Sequence, residues 1–170
     1  MANAKVNTST FTGADGSISL SKGQNKQEGD AAQKVIDAFE LLTVGRVQNV
    51  SLQIQSEIHP FHELGQRYAT ELRSGNVSVK GTIGRAYING ALLRLLLGEA
   101  ADNRPAAAWA QPAFNITLLA ENAAAPGVRS TLTLHDVKVD NWVLSVPEDD
   151  FLMESVGFQA LYVTVQDELK

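Results

Sequence analysis

The 170-residue sequence contains no cysteine. Disulfides, a thiol nucleophile and cysteine-ligated zinc are thereby excluded. Long apolar runs are also missing. The best, residues 91–97, is short and interrupted by Arg94, far below the roughly 20 residues a membrane-spanning helix needs. The opening MANAKVNTSTF has no apolar signal segment, which argues against secretion by that route. Aromatic residues are scarce, at 6%, and form no cluster, so an aromatic-lined ligand cleft is not expected. Nor is there a basic excess. Net charge is −5 and uneven: residues 131–170 carry eight acids and two bases, residues 1–130 eleven acids and twelve bases. A sequence-reading DNA binder needs a basic face. An acidic surface repels phosphate instead.

What is present is a balance of 44% apolar and 19% charged residues, in a length that suits one domain with a real core. Residues 1–10 are small and polar and are expected to be flexible. FTGADGSISLS predicts a turn over 13–16, then a short strand with Ile18 and Leu20 on one face. KGQNKQEG, residues 22–29, has two glycines, mixed charge and no large apolar residue, and predicts a mobile loop. In DAAQKVIDAFELL, Asp30 could cap a helix whose apolar face is Ala32, Val35, Ile36 and Phe39. The segment could equally lead directly into the next strand.

VQNVSLQIQSEI is the cleanest strand pattern. Val50, Leu52, Ile54 and Ile58 fall on one face, and Ser51, Gln53, Gln55 and Glu57 on the other, a period of two with one buried and one wet side. His59-Pro60 is expected to break it, with the irregular segment ending at Gly75. NVSVKGTIG repeats the pattern: Val77, Val79 and Ile83 against Asn76, Ser78, Lys80 and Thr82. RAYINGALLRLLLGEA predicts the firm helix, with an apolar stripe of Tyr87, Ala91, Leu92, Leu95 and Leu96 and a stop at Gly98. AFNITLLAEN resumes the strands, AAAPGVRS turns around Pro126-Gly127, and STLTLHDVKVDNWVLSV with a C-terminal hairpin completes the chain. The expected class is mainly β (α+β): an antiparallel sandwich or partial barrel with one flanking helix. The wet strand faces carry serine, threonine, asparagine and glutamine, where exposed strands ordinarily use more lysine and glutamate to blunt edge pairing.

Candidates for chemistry are weak. His59 and His62, with Glu63 as a third ligand, could hold a metal if helical, but Pro60 disfavours a helix there, and a turn with exposed imidazoles is the better reading. His135 and Asp136 are adjacent and should point to opposite faces of a strand. No serine sits in G-x-S-x-G. The glycines at 81, 84, 90 and 98 form no phosphate loop; Gly81 and Gly84 better mark a bulge or close approach. Glu148, Asp149 and Asp150 lack the alternating spacing of a calcium loop, and read as a charged turn with an interface role. No catalytic residue, metal or cofactor is expected.

ELRSGNVSVKGTIGRAYINGALLRLLLG and VKVDNWVLSVPEDDFLMESVGFQAL together resemble the tail tube proteins of tailed phages and of related contractile injection machines, and the likeness spans roughly residues 11–166. The pattern W-x-L-S-V-P-x-D-D-F-x-M-E-S-V-x-F, Trp142 to Phe158, is similar to a tail-tube C-terminal segment. The resemblance implies a single tail-tube domain over residues 1–170, six copies in a ring, and stacked rings forming a hollow tube in the virion tail, assembled in the host cytoplasm. Each copy would give four strands to an inner barrel. Twenty-four strands at about 4.8 Å spacing and a tilt of about 40° give a wall roughly 45–50 Å across and a channel of about 40 Å, through which duplex DNA would pass without specific binding. Implied partners are other copies, a sheath, a baseplate or initiator, a tail terminator and a tape measure protein. Ser51, Gln53, Gln55, Glu57, Asn76, Ser78, Lys80 and Thr82 become candidate lumen-lining residues, with Lys80 expected to pair with Glu57. Lys22, Asn25, Lys26, Glu28, Glu148, Asp149 and Asp150 become candidates for contacts between subunits or rings. The rival readings are the inner tube of a contractile injection or secretion system, and a small β-barrel ligand-binding module.

Overall fold

A computed structural model describes residues 10–122 and 127–168. The N-terminal segment, bar Thr10, and Pro126 of the expected turn lie outside the described residues. Thr12 and Asp15 close a capping box around one 3-10 turn, Gly13–Asp15. Strand β1, Gly16–Lys22, follows with Ile18 and Leu20 buried, as period two requires. Helix α1 spans Lys26–Phe39 and is capped by Asn25, whose side chain accepts from the Glu28 amide. The expectation of a cap at Asp30 is therefore corrected: Asn25 satisfies an early orphan N–H one turn sooner. Four residues of the expected loop, 26–29, form the helix's first turn. Ala32 and Ile36 face the core.

Strand β2, Val47–Phe61, and strand β3, Glu71–Ala86, form one long hairpin with a tip at residues 62–70. The expected break at His59-Pro60 does not occur. Pro60 lies opposite Leu72, and among the described residues β2 has no neighbour other than β3. An edge strand tolerates a missing N–H. Helix α2, Ala91–Leu97, is shorter than its sequence pattern predicts. Arg85 and Ala86 belong to β3, and Tyr87 instead packs edge-on against Trp142 at 6.4 Å. Ala91, Leu92 and Leu95 of the predicted stripe are buried. The described chain thus has two α-helices, and α1, not α2, is the longer.

Strands β4 (Phe114–Glu121), β5 (Arg129–Ser145), β6 (Met153–Ala160) and β7 (Tyr162–Glu168) complete an antiparallel arrangement ordered β1-β4-β5-β6-β3-β2, with β7 also on β5. β5 belongs to two sheets. Its first half pairs with β4 and β7, its second half with β6. Asp136, at φ 50, and a register shift between Val139 and Asn141 bend it from one to the other, as bulges do. One core joins the layers: Leu20, Ile116 and Leu134 from the first sheet, Ile83, Val156 and Phe158 from the second, and apolar residues of both helices. Gly81 is obligatory, because a Cβ there would lie 2.3 Å from the Ser51 carbonyl and 2.7 Å from the Phe158 ring.

Candidate functional site

In antiparallel strands, residues directly opposite share a face. The β2–β3 register sets Ser51 opposite Thr82, Gln53 opposite Lys80 and Gln55 opposite Ser78. These six of the eight candidate residues therefore stand on one face. The other two, Glu57 and Asn76, meet where the register shifts beyond Ser56, with the Asn76 amide donating to Glu57 Oε2 at 3.4 Å. All eight are exposed.

The face continues across two more strands. Lys80 lies opposite Gln159, and Thr82 opposite Gly157. Gln159 in turn faces Lys138, Gly157 faces Asn141, and Ser155 faces Val143. Sequence reading missed this half. On β6 the signal was present: Ser155, Gly157 and Gln159 alternate with buried Glu154, Val156 and Phe158. On β5 it was not, because the shift between Val139 and Asn141 interrupts the alternation, and nothing in a single sequence marks a bulge.

The charges on this face are mostly spent locally. Lys138 Nζ donates to Glu28 Oε1 at 2.9 Å, and Gln159 Nε2 donates to Asp140 Oδ2 at 3.0 Å. Lys80 does not pair with Glu57, contrary to expectation. The register sets it between Gln53 and Gln159, while Glu57 reaches the Asn76 amide and lies 3.6 Å from His59. Among the described residues Lys80 has no ion-pair partner.

The opposite side of the same sheet is the core face. Val79, Ile83, Val156 and Phe158 are buried there, with Arg85 and Glu154 among them. The four strands run β2-β3-β6-β5, and among the described residues both flanks are open. β2 pairs with β3 alone, and the second half of β5 pairs with β6 alone. Only near Val139 is the β5 flank partly covered, by Gln111 Nε2 donating to its carbonyl at 2.6 Å.

The seven residues expected at subunit contacts occupy two separate places. Lys22 pairs with Asp30 at 3.0 Å, and this hydrogen bond holds the Asp30 carboxyl below the usual aspartate range. Asn25 caps α1, Lys26 begins it, and Glu28 holds Lys138. Glu148, Asp149 and Asp150 lie in the turn between β5 and β6, at the far end of the sheet. Of these carboxylates, Asp150 accepts the Phe151 amide at 2.7 Å. His59 and His62 do not converge with Glu63 into a metal cluster; among the described residues no three His, Asp or Glu side chains do. His135 stacks on Tyr162 at 4.3 Å, and Asp136 accepts the Gln24 amide. A cleft of about 630 Å³ beside Lys138 is lined by Glu28, Leu96, Gln111, Asp140 and Leu161, among others, and by no aromatic side chain.

The sequence matches no protein-family model and no curated protein sequence. In three dimensions it is similar to known structures over almost its whole length. A chain of the PVC extracellular contractile injection system, from its sheath–tube complex in the extended state, is 12% identical, with a TM-score of 0.63 covering 95% of this chain and 94% of that one. A chain of the anti-feeding prophage baseplate, a six-fold symmetrised structure, is 11% identical at TM-score 0.60, covering 94% and 97%. The SPP1 tail tube protein is 11% identical at TM-score 0.59, covering 95% and 81%. The chain therefore has the fold shared by the tube proteins of phage tails and contractile injection systems.

Proposed function

We propose that this protein is a structural tail tube subunit, whose six-membered rings stack into a hollow conduit for DNA. One observation carries the reading. A four-stranded sheet has a nearly neutral hydroxyl-and-amide face on one side, a packed core on the other, and unpaired edges on both flanks. An isolated subunit with such edges is prone to pair with other chains. Joining β2 of one copy to the second half of β5 in the next removes both edges, and a closed ring removes them all. The six-fold count follows the similar baseplate structure.

In this arrangement Ser51, Gln53, Gln55, Glu57, Asn76, Ser78, Lys80 and Thr82 line the lumen, joined by Asn141, Ser155 and Gln159. Hydroxyls and amides hydrate well and hold phosphate weakly. DNA then slides, because affinity for its backbone comes chiefly from cation contacts. Lys80 is the exception. The protein performs no catalysis and needs no cofactor; its work is assembly. It would reside in the virion tail after assembly in the host cytoplasm, against a baseplate or initiator below and a terminator above, around a tape measure protein, and within a sheath if the tail contracts.

A second reading, the inner tube of a contractile injection system, is favoured by the likeness to the PVC sheath–tube complex. It uses the same geometry with a different cargo. A small ligand-binding module is disfavoured, since the cleft beside Lys138 lacks aromatics and its four charged residues are engaged within the chain: Glu28 pairs with Lys138, Asp136 accepts the Gln24 amide and Asp140 accepts from Gln159. Electron microscopy of the purified protein tests the proposal. Six-fold rings or hollow tubes are expected; a chain that stays monomeric at high concentration, even with a tail initiator supplied, would overturn it. Nuclease-protected DNA inside tubes from infected cells separates a phage tail from an injection tube.

A further inference from the structure

A hollow of about 630 Å³ lies beside the open edge of β2. Ile18, Val44, Val47, Val50 and Leu118 give it apolar walls, and Arg46 lines it too. The Arg46 carbonyl accepts the Ala86 amide at 3.1 Å, which ties this residue to the end of β3. Its side chain is exposed and has no ion-pair partner among the described residues. Asp15, beside Gly16 of the same wall, turns its carboxylate back on Thr12, accepting the amide at 2.8 Å and the hydroxyl at 3.2 Å. It forms no ion pair with Arg46.

The opposite flank of the sheet carries a matching set of groups. Leu144, on the core-side face of β5, is 36% exposed, and Val146, where β5 passes into its turn, is 66% exposed. Glu148 and Asp149 follow, with no ion-pair partner among the described residues. Val47, Arg85, Glu154 and Leu144 form one row across the sheet. Hollow and acidic turn therefore occupy the same end of it, on opposite flanks.

Ring closure brings the two flanks together. Gln53, Lys80, Gln159 and Lys138 form a second row. Six such four-stranded sheets make a barrel whose tilt of about 40° offsets each copy from the next by about five residues along the strands. The fixed hand of the strand twist directs that offset toward the acidic turn. Gln53 then meets Val143 of the neighbour, and both stand on the polar face, as alternation requires. In this antiparallel register Leu52 falls beside Leu144 and Val50 beside Val146, while Arg46 comes alongside Glu148 and Asp149.

We infer that the hollow beside β2 is the seat for the acidic turn of the neighbouring copy in the same ring, with Val146 against its apolar walls and Arg46 paired to Glu148 or Asp149. The inference rests on the tube reading and deepens it. Edge pairing alone would let a strand slip by two residues without turning its faces over. A filled hollow and a charge pair hold one register, and complementary charge selects the partner.

Charge reversal on the full chain tests it, with ring formation followed by sedimentation and electron microscopy. The substituted side chains are exposed, so folding should survive, as circular dichroism would verify. Arg46→Glu alone, and Glu148→Lys with Asp149→Lys alone, should each raise the concentration needed for rings by about tenfold or more. A chain carrying all three reversals should regain rings. Val146→Asp should weaken rings in either charge background. Single reversals that form rings at the original concentration would overturn the inference, as would rings that persist while tubes are lost, which would place the turn between rings. Rings lost with no recovery in the combined chain would overturn the pairing of Arg46 with the turn. Absence of rings from the unaltered chain would instead overturn the tube reading itself.

Discussion

Arg85 of β3 and Glu154 of β6 lie opposite each other with their side chains 2% and 0% exposed, and Arg85 Nε donates to Glu154 Oε1. The second carboxylate oxygen accepts Trp142 Nε1 at 2.8 Å from β5. The pair thus ties three of the four sheet strands together on the core side. Arg85 Nη2 is buried without a hydrogen-bond partner among the described residues, so the charges balance while one guanidinium donor stays unsatisfied.

Breaking this pair from one side should be costly. Glu154→Gln keeps the hydrogen bond from Trp142 but leaves a buried guanidinium uncompensated, and a loss of about 3–5 kcal/mol is expected. Arg85→Met combined with Glu154→Gln should cost distinctly less, because no buried charge remains. Urea unfolding of the monomer, read by tryptophan fluorescence, checks the order.

Lys80 should matter for cargo and not for folding. Lys80→Gln removes an exposed, unpaired cation, so ring and tube formation should be unchanged while transit of a polyanion becomes less sensitive to salt. Conversely, Gln53→Lys with Gln55→Lys should allow tubes and slow DNA ejection. Ejection rates across a salt series decide both, and an unchanged rate with the added lysines would overturn the proposed placement of β2 at the lumen.

The start of α1 can be assigned by substitution. Asn25→Ala should destabilise by about 1 kcal/mol through loss of the cap to the Glu28 amide. Asp30→Ala should leave the helix boundary in place, since Asp30 only pairs with Lys22 at the surface. Thermal melts and amide exchange at residues 26–29 report the difference.

Gly81→Ala places a Cβ within 2.3 Å of a backbone oxygen on β2 and 2.7 Å of the Phe158 ring, forcing the hairpin away from its neighbour. A loss of about 1–3 kcal/mol is expected for such overpacking. Gly45→Ala is the control, since a Cβ there meets nothing within 4 Å and stability should barely move. Melting temperatures of the two variants give the comparison.

The strand faces were legible because alternation is a local property. Ser51, Gln53 and Gln55 against Val50 and Leu52 on β2, and the opposing set on β3, could be sorted by counting in twos. Ile54, Ile58 and Val77 could be sorted the same way, but their exposure could not be foreseen: they sit on the core-side face near or beyond the point where the second sheet ends. Pro60 misled because its tolerance depends on being at an edge, which is a matter of neighbours. Arg85 and Tyr87 misled because a helix pattern ran on into residues that strand pairing and Trp142 claim.

By itself the sequence determined that this chain is mainly β and which residues alternate in and out. Those follow from residue type and spacing, which act over a few positions. Tertiary structure alone decided that Lys80 meets Gln53 and Gln159 instead of Glu57, that four strands share one polar face, and that a half-buried tryptophan and a buried arginine hold one carboxylate. It also decided that the hairpin overhangs one end and the acidic turn occupies the other. Each of these depends on register and on which edges remain unpaired. Register is set jointly by packing across strands far apart in the chain, so no window of sequence contains it.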